Sequence, residues 1–590
     1  MQGLASGAAV AFLLALHGQV PGLISSTTEW FFLVGLDECG SLSLRNLAHG
    51  QCGLVGGPGG GSIANGIAFV AIGSVLIRVL GLTAAWAYTG TAISLMIVAF
   101  AGANLLARRV GLGRVLSFLV ATLYLAGPSL VGMVGFNSTF WGVALLPAAI
   151  FVQLRLADRI ATGRVASRLL ALLGWWFSVA FMLALDGYAF LMAQFSVGVI
   201  LAFLVIAAIR SRQAWIKVGG FMLVNVAAFL VYRLAVPGAG SWEKSSIDLF
   251  RAMGADLTTL ALPSDAVWWS VFTGVGVRPE LLWGDGTNAR YNYLGWGVVV
   301  LAAVGFLVWR KREKLVVPLA LVALLAIGLS LGPSLKVHEV RGPLTIPVTY
   351  ESYLMPAKSA VLELPTTWVY EHVPGFDATR ATYRWLAVSR VALLLLAGLG
   401  AQYLLALDTR GVRRLATVGL CVLAVIEIAP QAPVIIKTNA TRAEMVRAFD
   451  RDVLTEMRHA IPRDSRVVFA PNAESENDYL ANYLAPMLRV HAYNVGGDKA
   501  LAAARPLWPE PVTKLLIADA DFADAADRVL AGGYADTVVI PFFDLRWSAS
   551  AWPTPDQFRK PGLAAAEQAA ADPRLAVRRF DTFAIVSLAH

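Results

Sequence analysis

Long apolar segments separated by short basic connections dominate this sequence of 590 residues. A bilayer core about 30 Å thick requires roughly 20 mostly apolar residues in each helix that crosses it. Segments that approach this length and carry few charges are residues 84–106, 115–133, 141–154, 169–185, 190–209, 218–236, 294–309, 315–331, 386–407 and 416–428. With the apolar N-terminal stretch, they predict an α-helical multi-pass membrane protein with about 11 transmembrane helices.

The charged residues support a membrane protein and indicate its orientation. Only 15% of the residues are charged, whereas soluble domains carry about 25%. The net charge of +9 arises from short Lys/Arg clusters in every second connection, which excludes a nucleic acid partner and is typical of cytoplasmic loops. These clusters lie at residues 108–114, 155–168, 210–217, 310–314 and 410–414. The remaining connections, among them 25–62, 237–292 and 332–384, are then expected outside the cytoplasm.

Residues 63–82 decide how the first outer loop is oriented. The segment is apolar but contains Asn65, Arg78 and several glycines. If the first helix starts in the cytoplasm, a full crossing here would reverse all later helices, so we expect interfacial or re-entrant placement. The alternative is 12 crossing helices, with the N-terminus outside and the first loop in the cytoplasm.

The composition changes after residue 430 to that of a soluble domain. We therefore divide the chain into a membrane domain (1–430) and an extracytoplasmic α/β domain (431–590). Within the latter we expect strands at 465–471, 513–519 and 537–543, two closing strands within 575–588, and a helix at 521–531. This domain shows no phosphate-binding loop, metal-ligand spacing or nucleophile motif, so we expect it to have a structural or recognition role.

The first outer loop (25–62) holds the densest group of reactive side chains. Asp37 and Glu38 are adjacent, and Arg45 and His49 follow them before a glycine-rich tail. Acidic residues held just outside a membrane by many helices indicate a site. Cys39 and Cys52 would share an oxidising compartment in this topology and could form a disulfide, the alternative being two free thiols.

Four stretches carry a resemblance to a known superfamily. They are the acidic pair at 37–38, the helix–basic turn–helix stretch 82–132, the stretch YLGWGVVVLAAVGFLVWRKRE at 293–313, and the stretch 369–400 with its Pro-Gly-Phe and paired arginines. In this order they resemble the GT-C superfamily of membrane glycosyltransferases. The bacterial envelope enzymes that use polyprenyl-phosphate sugars are the most similar members.

This resemblance implies a fold of transmembrane helices with interfacial helices in the outer loops. It also implies transfer of a sugar from a polyprenyl-phosphate donor to a glycan or lipid acceptor on the non-cytoplasmic face. The first-loop acid would be the catalytic base, with Asp37 as first choice and Glu38 as second. No Asp-x-Asp occurs in the loop, so a divalent metal stays possible but is not required by the pattern.

Sugar transfer also needs positive charge to stabilise the departing phosphate. Arg380 and Arg384 are spaced i, i+4 at the entrance to a helix and would share one face. The guanidinium of one arginine can donate two parallel hydrogen bonds to two oxygens of a phosphate. Arginines near the ends of transmembrane helices also commonly anchor the helix at the membrane interface, which is the alternative role. Lys336 and Arg341 are further candidates for the donor phosphate.

Substrate-binding candidates lie in the first loop and at the outer end of a helical hairpin. Arg45 and His49 belong to the loop, and Asp186 and Tyr188 belong to the hairpin. Ionisable groups at membrane depth are often functional. Asp186-Gly187 is also a turn signal, so the sequence leaves both interpretations of Asp186 open.

The sequence thus predicts an inverting hexosyl- or pentosyltransferase in the bacterial inner (plasma) membrane, in contact with membrane lipids. One alternative is a transporter or flippase of lipid-linked glycan, which usually shows internal repeats and mid-membrane charges. Another is a non-catalytic subunit of envelope assembly.

Overall fold

The computed structural model describes residues 2–26, 66–136, 138–235, 245–284, 290–342, 353–407, 411–471, 479–495, 505–517, 521–545 and 551–589. Several predicted site residues lie outside these ranges, namely Asp37, Glu38, Cys39, Arg45, His49 and Cys52. The described ranges form a helical membrane part and a C-terminal part built on a β-sheet.

The membrane part consists of helices of very different lengths. In chain order they are α1 (Gln2–Leu16), α2 (Ile67–Leu80), α3 (Ala84–Arg109), α4 (Arg114–Ala126), α5 (Pro128–Val131), α6 (Ser138–Thr162), α7 (Val165–Leu185), α8 (Gly187–Ala207), α9 (Arg212–Ala235), α10 (Ile247–Ala252), α11 (Leu257–Ala261), α12 (Trp268–Thr273), α13 (Trp296–Trp309), α14 (Val316–Ser330), α15 (Thr366–His372), α16 (Leu386–Ala406) and α17 (Val412–Ile428). Strands β1 (Ser334–Leu335) and β2 (Leu362–Glu363) form an antiparallel pair within the last long connection.

Seven helical segments in the described part of the chain are long and apolar enough to cross a membrane. They are Ala84–Arg109, Arg114–Val131, Ser138–Thr162, Val165–Leu185, Gly187–Ala207, Arg212–Leu234 and Thr382–Ala406. Four shorter apolar helices accompany them, at Gly3–Leu16, Ile67–Leu80, Trp296–Trp309 and Val316–Ser330. The protein is therefore a multi-pass membrane protein.

The length of α2 does not decide whether it crosses the membrane. It has 14 residues, but α13 and α14, which were both predicted to cross, have only 14 and 15. The interfacial placement of 63–82 stays a prediction, as does the orientation of the first outer loop.

Three basic connections predicted on the same side of the membrane meet in the structure. The carboxylate of Asp158, at the end of α6, accepts hydrogen bonds from Arg109 Nη2 over 2.5 Å and from Lys217 Nζ over 2.6 Å. On α16, Gln402 Oε1 accepts the backbone N–H of Gly113 over 2.8 Å. These contacts bring together one end each of α3, α6, α9 and α16. This agrees with the expectation that the basic connections lie on one side of the membrane.

Helices α6 and α16 form the buried centre of the membrane part. Small residues allow their neighbours to approach closely, which is common between helices in membranes. A Cβ added to Gly102 of α3 would lie 2.2 Å from the Cβ of Ala148 on α6, and one added to Gly305 of α13 would lie 2.0 Å from the backbone oxygen of Leu396 on α16. Both helices contribute buried residues to a single apolar core.

The C-terminal part contains a five-stranded mixed sheet between two layers of side chains. Its strands are β3 (Arg466–Phe469), β4 (His491–Ala492), β5 (Thr537–Pro541), β6 (Leu575–Arg579) and β7 (Phe583–Leu588), in the order β4-β3-β5-β7-β6. Strands β4, β3 and β5 are parallel, whereas β7 pairs antiparallel with both β5 and β6. The helices of this part are α18 (Ala432–Phe449), α19 (Thr455–Ala460), α20 (Tyr479–Leu488), α21 (Glu510–Leu516), α22 (Phe522–Ala531) and α23 (Lys560–Ala571). Separate apolar cores cover the two faces of the sheet, which gives the predicted α/β domain.

One predicted strand in this domain was wrong. Residues 513–519 were expected to be extended, but Glu510–Leu516 forms helix α21. Pro511 stands in its first turn, where proline is compatible with a helix, and Val512, Leu515 and Leu516 are buried at helical spacing. The apolar run was too short for its periodicity to separate the two structures.

Helix α18 connects the two parts. Its first turns contribute Ala432 and Ile435 to the membrane core, and its last turns contribute Val446 and Phe449 to the core beneath the sheet. The proposed boundary at 430/431 thus falls immediately before a helix that packs on both sides.

Candidate active site

Asp186 occupies a buried position between α7 and α8. It is 4% exposed and is the N-cap of α8, where its carboxylate accepts the backbone N–H of Ala189 over 2.8 Å. The hydroxyl of Thr139 donates to the other carboxylate oxygen over 3.0 Å, and the hydroxyl of Ser138 is 3.4 Å from that oxygen. Asp186 therefore caps a helix and also belongs to a buried cluster of polar side chains.

Arg384 lies against two aromatic rings immediately before α16. Its Cζ is 4.0 Å from the ring centre of Phe136 and 4.8 Å from that of Tyr188. Its Nη1 is 3.5 Å from Thr139 Oγ1, a long hydrogen bond. Stacking of this kind is favourable for a guanidinium and restricts its orientation. We call Phe136, Thr139, Asp186, Tyr188 and Arg384 the Arg384 cluster.

Tyr188 links this cluster to the segment before α16. Its hydroxyl accepts the backbone N–H of Ala381 over 3.1 Å, and Arg380 directly precedes Ala381. Ala381 is not helical, and a 3-10 turn begins only at Thr382. The expectation that Arg380 and Arg384 share one helical face was therefore wrong, although both lie close to Tyr188.

Both ends of the segment 27–65, which carries Asp37 and Glu38, are attached beside this cluster. At one end, Ser26 lies next to Gly135, so that a Cβ added to Gly135 would be 3.8 Å from Ser26 Oγ. Gly135 directly precedes Phe136 of the cluster. At the other end, the backbone N–H of Gly66 donates to the backbone oxygen of Leu185 over 3.0 Å, one residue before Asp186.

Residues 17–26, which precede this segment, are held by hydrogen bonds to distant parts of the chain. Nε2 of His17 is 2.7 Å from the backbone oxygen of Leu125, and the hydroxyl of Tyr88 donates to Gln19 Oε1 over 2.8 Å. The backbone N–H of Ile24 donates to the backbone oxygen of Asn439 on α18 over 3.1 Å. The start of the first outer loop is thus attached to both parts of the protein.

Lys336, in the last long connection, makes its described hydrogen bonds with residues outside the Arg384 cluster. Its side chain is 1% exposed, and its Nζ donates to the backbone oxygen of Ala252 over 2.8 Å. Burial lowers the pKa of this ammonium group from 10.5 to about 7, against the opposing influence of Asp256 and Glu339. These contacts bury Lys336 between the connections 237–292 and 332–384.

Arg341 also lies apart from the cluster in the described residues. Its backbone N–H donates to the backbone oxygen of Leu281 over 2.7 Å, and its Cζ is 5.8 Å from the ring centre of Tyr353. The structure therefore brings Asp186, Tyr188, Arg380 and Arg384 together, and it leaves Lys336 and Arg341 elsewhere.

Sequence reasoning missed three residues that the structure makes prominent. Thr139 and Phe136 complete the Arg384 cluster, but a threonine and a phenylalanine beside an apolar segment give no signal of their own. Arg390 is buried one turn into α16, where it donates hydrogen bonds to the hydroxyl of Ser129 and to the backbone oxygens of Tyr291 and Tyr293. A charge within an apolar segment is a recognisable signal, and it was available in the sequence.

The described side chains offer no evident metal site. Within these ranges, no three His, Cys, Asp or Glu residues are grouped so that they could hold a metal ion. In the Arg384 cluster, Asp186 is the one carboxylate, and its oxygens face hydroxyl and N–H donors.

Comparison with known proteins identifies similar folds. A mycobacterial arabinofuranosyltransferase, AftD, is similar with a TM-score of 0.51 and 14% identity, over 99% of this chain and 40% of AftD. ArnT from Cupriavidus metallidurans in the apo state has a TM-score of 0.49 and 12% identity, over 99% and 98% of the two chains. The apo oligosaccharyltransferase of Archaeoglobus fulgidus has a TM-score of 0.47 and 10% identity, over 94% and 71%.

Comparison by sequence is less informative. A family described as a Domain of unknown function (DUF6311) matches residues 70–353, slightly less than half of the chain. No curated protein matches the sequence. The likeness to AftD, which extends over nearly the whole of this chain and 40% of AftD at low identity, shows that this chain shares the overall fold of that part of AftD.

Proposed function

We propose that this protein transfers a sugar from a polyprenyl-phosphate donor to a hydroxyl group of an envelope glycan or lipid. The observation that carries the proposal is the attachment of both ends of segment 27–65 beside the Arg384 cluster. This attachment supports a site in which a first-loop acid acts close to a cation suited to phosphate. The GT-C fold supports sugar transfer in general.

Asp37 is the proposed catalytic base, with Glu38 as the second choice. In a single displacement, the carboxylate takes the proton of the acceptor hydroxyl while its oxygen attacks the anomeric carbon of the donor sugar. The bond from that carbon to the phosphate oxygen breaks, its electron pair leaves with the polyprenyl phosphate, and the anomeric configuration inverts. General base catalysis contributes about 10²–10⁴-fold to such a rate.

Arg384 is the proposed stabiliser of the departing phosphate, assisted by Arg380. Its guanidinium is held by Phe136 and Tyr188, so little reorientation would be needed as charge develops on the leaving oxygen. A guanidinium binds two phosphate oxygens through hydrogen bonds in its plane, and stacking on aromatic faces is compatible with that geometry.

The remaining polar residues of the region are proposed to orient substrates. Asp186 holds Thr139 in place beside Arg384, and Tyr188 holds the segment that carries Arg380. Arg45 and His49 of the first loop are proposed to contact the acceptor or the sugar. The reaction is assigned to the non-cytoplasmic side of a bacterial inner membrane, where the C-terminal domain would also lie.

The decisive experiment is transfer of radiolabelled hexose and pentose from polyprenyl phosphate to native lipid extract by the purified protein. We expect transfer by wild type and loss of about 100-fold or more in Asp37→Asn. Glu280→Gln, an exposed outer-loop acid away from the cluster, serves as the matched control and should retain full activity. Donor binding by Asp37→Asn should persist, because the variant removes the base and keeps the cations.

Two outcomes would contradict the proposal. Equal transfer by wild type, Asp37→Asn and Glu38→Gln would remove the first-loop acids from the chemistry. Absence of transfer from every donor, combined with movement of lipid-linked glycan across liposomes, would identify a flippase instead.

A further inference from the structure

Arg390 is a buried cation within an apolar part of α16. It is 8% exposed and lies one helical turn after Leu386. Its Nη1 donates to the hydroxyl of Ser129, and its Nη2 donates to the backbone oxygens of Tyr291 and Tyr293, the latter over 2.9 Å. One side chain thereby joins α16 to α5 and to the segment before α13.

The surroundings of Arg390 fit a link between elements and not a ligand site. The two cavities beside it measure about 10 Å³ each, which is space for about one water molecule. Among the described residues its hydrogen-bond partners are a hydroxyl and two backbone oxygens, all neutral. A buried charge without an opposite charge is costly, and an apolar side chain in its place is often as stable or more stable. The value of an arginine here therefore lies in the geometry that its three hydrogen bonds fix.

The residues around Ser129 lead directly to the Arg384 cluster. Ser129 lies in α5, and the turns that follow are held by their own backbone hydrogen bonds. The N–H of Met133 donates to the oxygen of Leu130 over 3.0 Å, and the N–H of Phe136 donates to the oxygen of Met133 over 2.9 Å. The partner of Arg390 and the ring that stacks on Arg384 thus belong to one hydrogen-bonded stretch of chain.

The segment that includes α16 contacts this stretch at two points through two arginines. Arg384 Cζ is 4.0 Å from the ring centre of Phe136, and Arg390 donates to Ser129. The two arginines are six positions apart, which corresponds to roughly 9–12 Å along a helix with a first 3-10 turn. The contact at Arg390 therefore fixes how the segment lies against the stretch that carries Phe136.

Close packing between the two points leaves little room for adjustment. A Cβ added to Gly132, three residues after Ser129, would lie 2.8 Å from the ring of Tyr291, whose backbone oxygen accepts from Arg390. The cavity that separates Gly132 from Tyr383, the residue before Arg384, holds about one water molecule. Closely packed interiors transmit strain, so a shift at Arg390 is expected to reach Arg384.

We propose that Arg390 is a positioning residue that holds the Arg384 guanidinium in place for the departing phosphate. This inference rests on the proposed function of Arg384. Apolar contacts are non-directional and specify the rotation and height of α16 weakly, whereas hydrogen bonds from one planar guanidinium to three acceptors allow a single placement. A displacement of about 1 Å in a catalytic group can lower a rate about 10²-fold.

The first test is steady-state sugar transfer by Arg390→Met, which removes the three hydrogen bonds and keeps a long side chain. We expect kcat to fall about tenfold to 10²-fold, with a smaller change in the KM for the donor, because the proposed role of Arg384 is in the transition state. Arg390→Lys keeps a donor group and should recover part of kcat. Gln402→Leu removes hydrogen bonds to Gly111 and Gly113 at the opposite end of α16 and is the matched control, with normal kcat.

Combination with Arg384→Gln separates positioning from a general structural defect. In that background no guanidinium is left to misplace, so adding Arg390→Met should lower kcat by less than about twofold further. An equal fold-loss in both backgrounds would show that Arg390 acts independently of Arg384 and would overturn the proposal. Normal kcat in Arg390→Met alone would overturn it as well.

Ser129→Ala covers the case in which Arg390→Met fails to fold. It removes one of the three acceptors and should lower kcat less, again without further effect in the Arg384→Gln background. Thermal unfolding supplies a measurement that needs no sugar transfer. The shifts in Tm caused by Ser129→Ala and Phe136→Leu should not add, whereas those of Ser129→Ala and Gln402→Leu should add.

Additive shifts in both pairs would refute the link between Ser129 and Phe136, whether or not the wild-type protein transfers sugar. Absence of transfer by wild type, combined with non-additive shifts only in the first pair, would refute the proposed function and keep the link. Failure of this inference and failure of the proposed function are thereby distinguished.

Discussion

The side-chain amide of Asn439 donates a hydrogen bond to the backbone oxygen of Leu16 over 3.0 Å. Leu16 is the last residue of α1, and Asn439 lies at the middle of α18, which leads into the C-terminal sheet. The backbone oxygen of the same asparagine accepts the N–H of Ile24. The C-terminal domain thus holds the chain at the point where it enters the first outer loop.

Replacement of Asn439 by alanine is expected to lower the free energy of unfolding by about 1–3 kcal/mol, because it leaves the Leu16 oxygen without its buried donor. Limited proteolysis should then cut the first outer loop faster. Lys437→Ala, at an exposed position of the same helix, is the matched control. Equal thermal stability of the two variants in detergent would contradict the role of Asn439.

At Asp186 we expect asparagine and alanine to differ. Asparagine is also a good N-cap and can still accept the N–H of Ala189, whereas alanine loses the cap at a cost of about 0.5–2 kcal/mol. Thermal unfolding of both variants checks this order. If Asp186 also orients Thr139 for substrate binding, transfer by Asp186→Asn should fall even though the protein is nearly as stable as wild type.

Loss of the guanidinium at Arg384 should reduce sugar transfer strongly. Removing one preorganised hydrogen-bond donor from an oxyanion hole typically lowers kcat by about 10²–10³-fold. We expect a loss of this size in Arg384→Gln and a smaller loss in Arg384→Lys. Steady-state kinetics with the donor varied provides the measurement. Arg278→Gln, at an exposed arginine of the connection 237–292, should match wild type. A normal kcat in Arg384→Gln would exclude Arg384 from phosphate stabilisation.

Lys336 should make stability depend on pH. Its pKa is lowered from 10.5 to about 7 in the folded protein, so between these values the unfolded chain binds more protons than the folded one. The free energy of unfolding should therefore rise with pH from about 7 toward 10, by at most about 1.4 kcal/mol per pH unit. Lys336→Met should lose this slope. Thermal unfolding of both proteins across that range is the measurement, and identical slopes would contradict the prediction.

The contact between α13 and α16 should not tolerate a side chain at Gly305. A Cβ there would meet the Leu396 oxygen at 2.0 Å, which forces the backbones apart. We expect Gly305→Ala to destabilise the protein by about 1–3 kcal/mol. Gly328→Ala on the adjacent α14, where a Cβ would meet nothing within 4 Å, should be neutral or stabilising. Equal melting temperatures would count against this packing.

Local patterns predicted most of the elements. Runs of apolar residues between basic clusters predicted the helices of the membrane part, because bilayer thickness and backbone hydrogen bonding leave few alternatives to a helix of that length. The helical pattern DFADAADRVLA at 521–531 predicted α22, and the apolar run at 537–543 predicted β5. The same reasoning failed at 513–519, where a short apolar run suits a strand and a helix equally well.

The candidate site was predicted only in part. Asp186 was recognisable because ionisable groups are rare near membrane depth, and Arg380 and Arg384 because paired arginines before a helix are suited to phosphate. Thr139 and Phe136 were not, because their importance comes from what they contact. Lys336 and Arg341 were reasonable candidates by charge and loop position, yet their hydrogen bonds join the connection 332–384 to the connection 237–292.

The sequence by itself determined that this chain folds into membrane helices with a C-terminal α/β domain, since hydrophobic periodicity and charge placement are local properties of the chain. Only the tertiary structure decided which polar residues meet. Phe136, Asp186 and Arg384 are distant in sequence, and their proximity results from the packing of α6, α8 and α16. The same packing separates Arg384 from Arg390, two arginines of one segment that face different neighbours, and no local pattern encodes that difference.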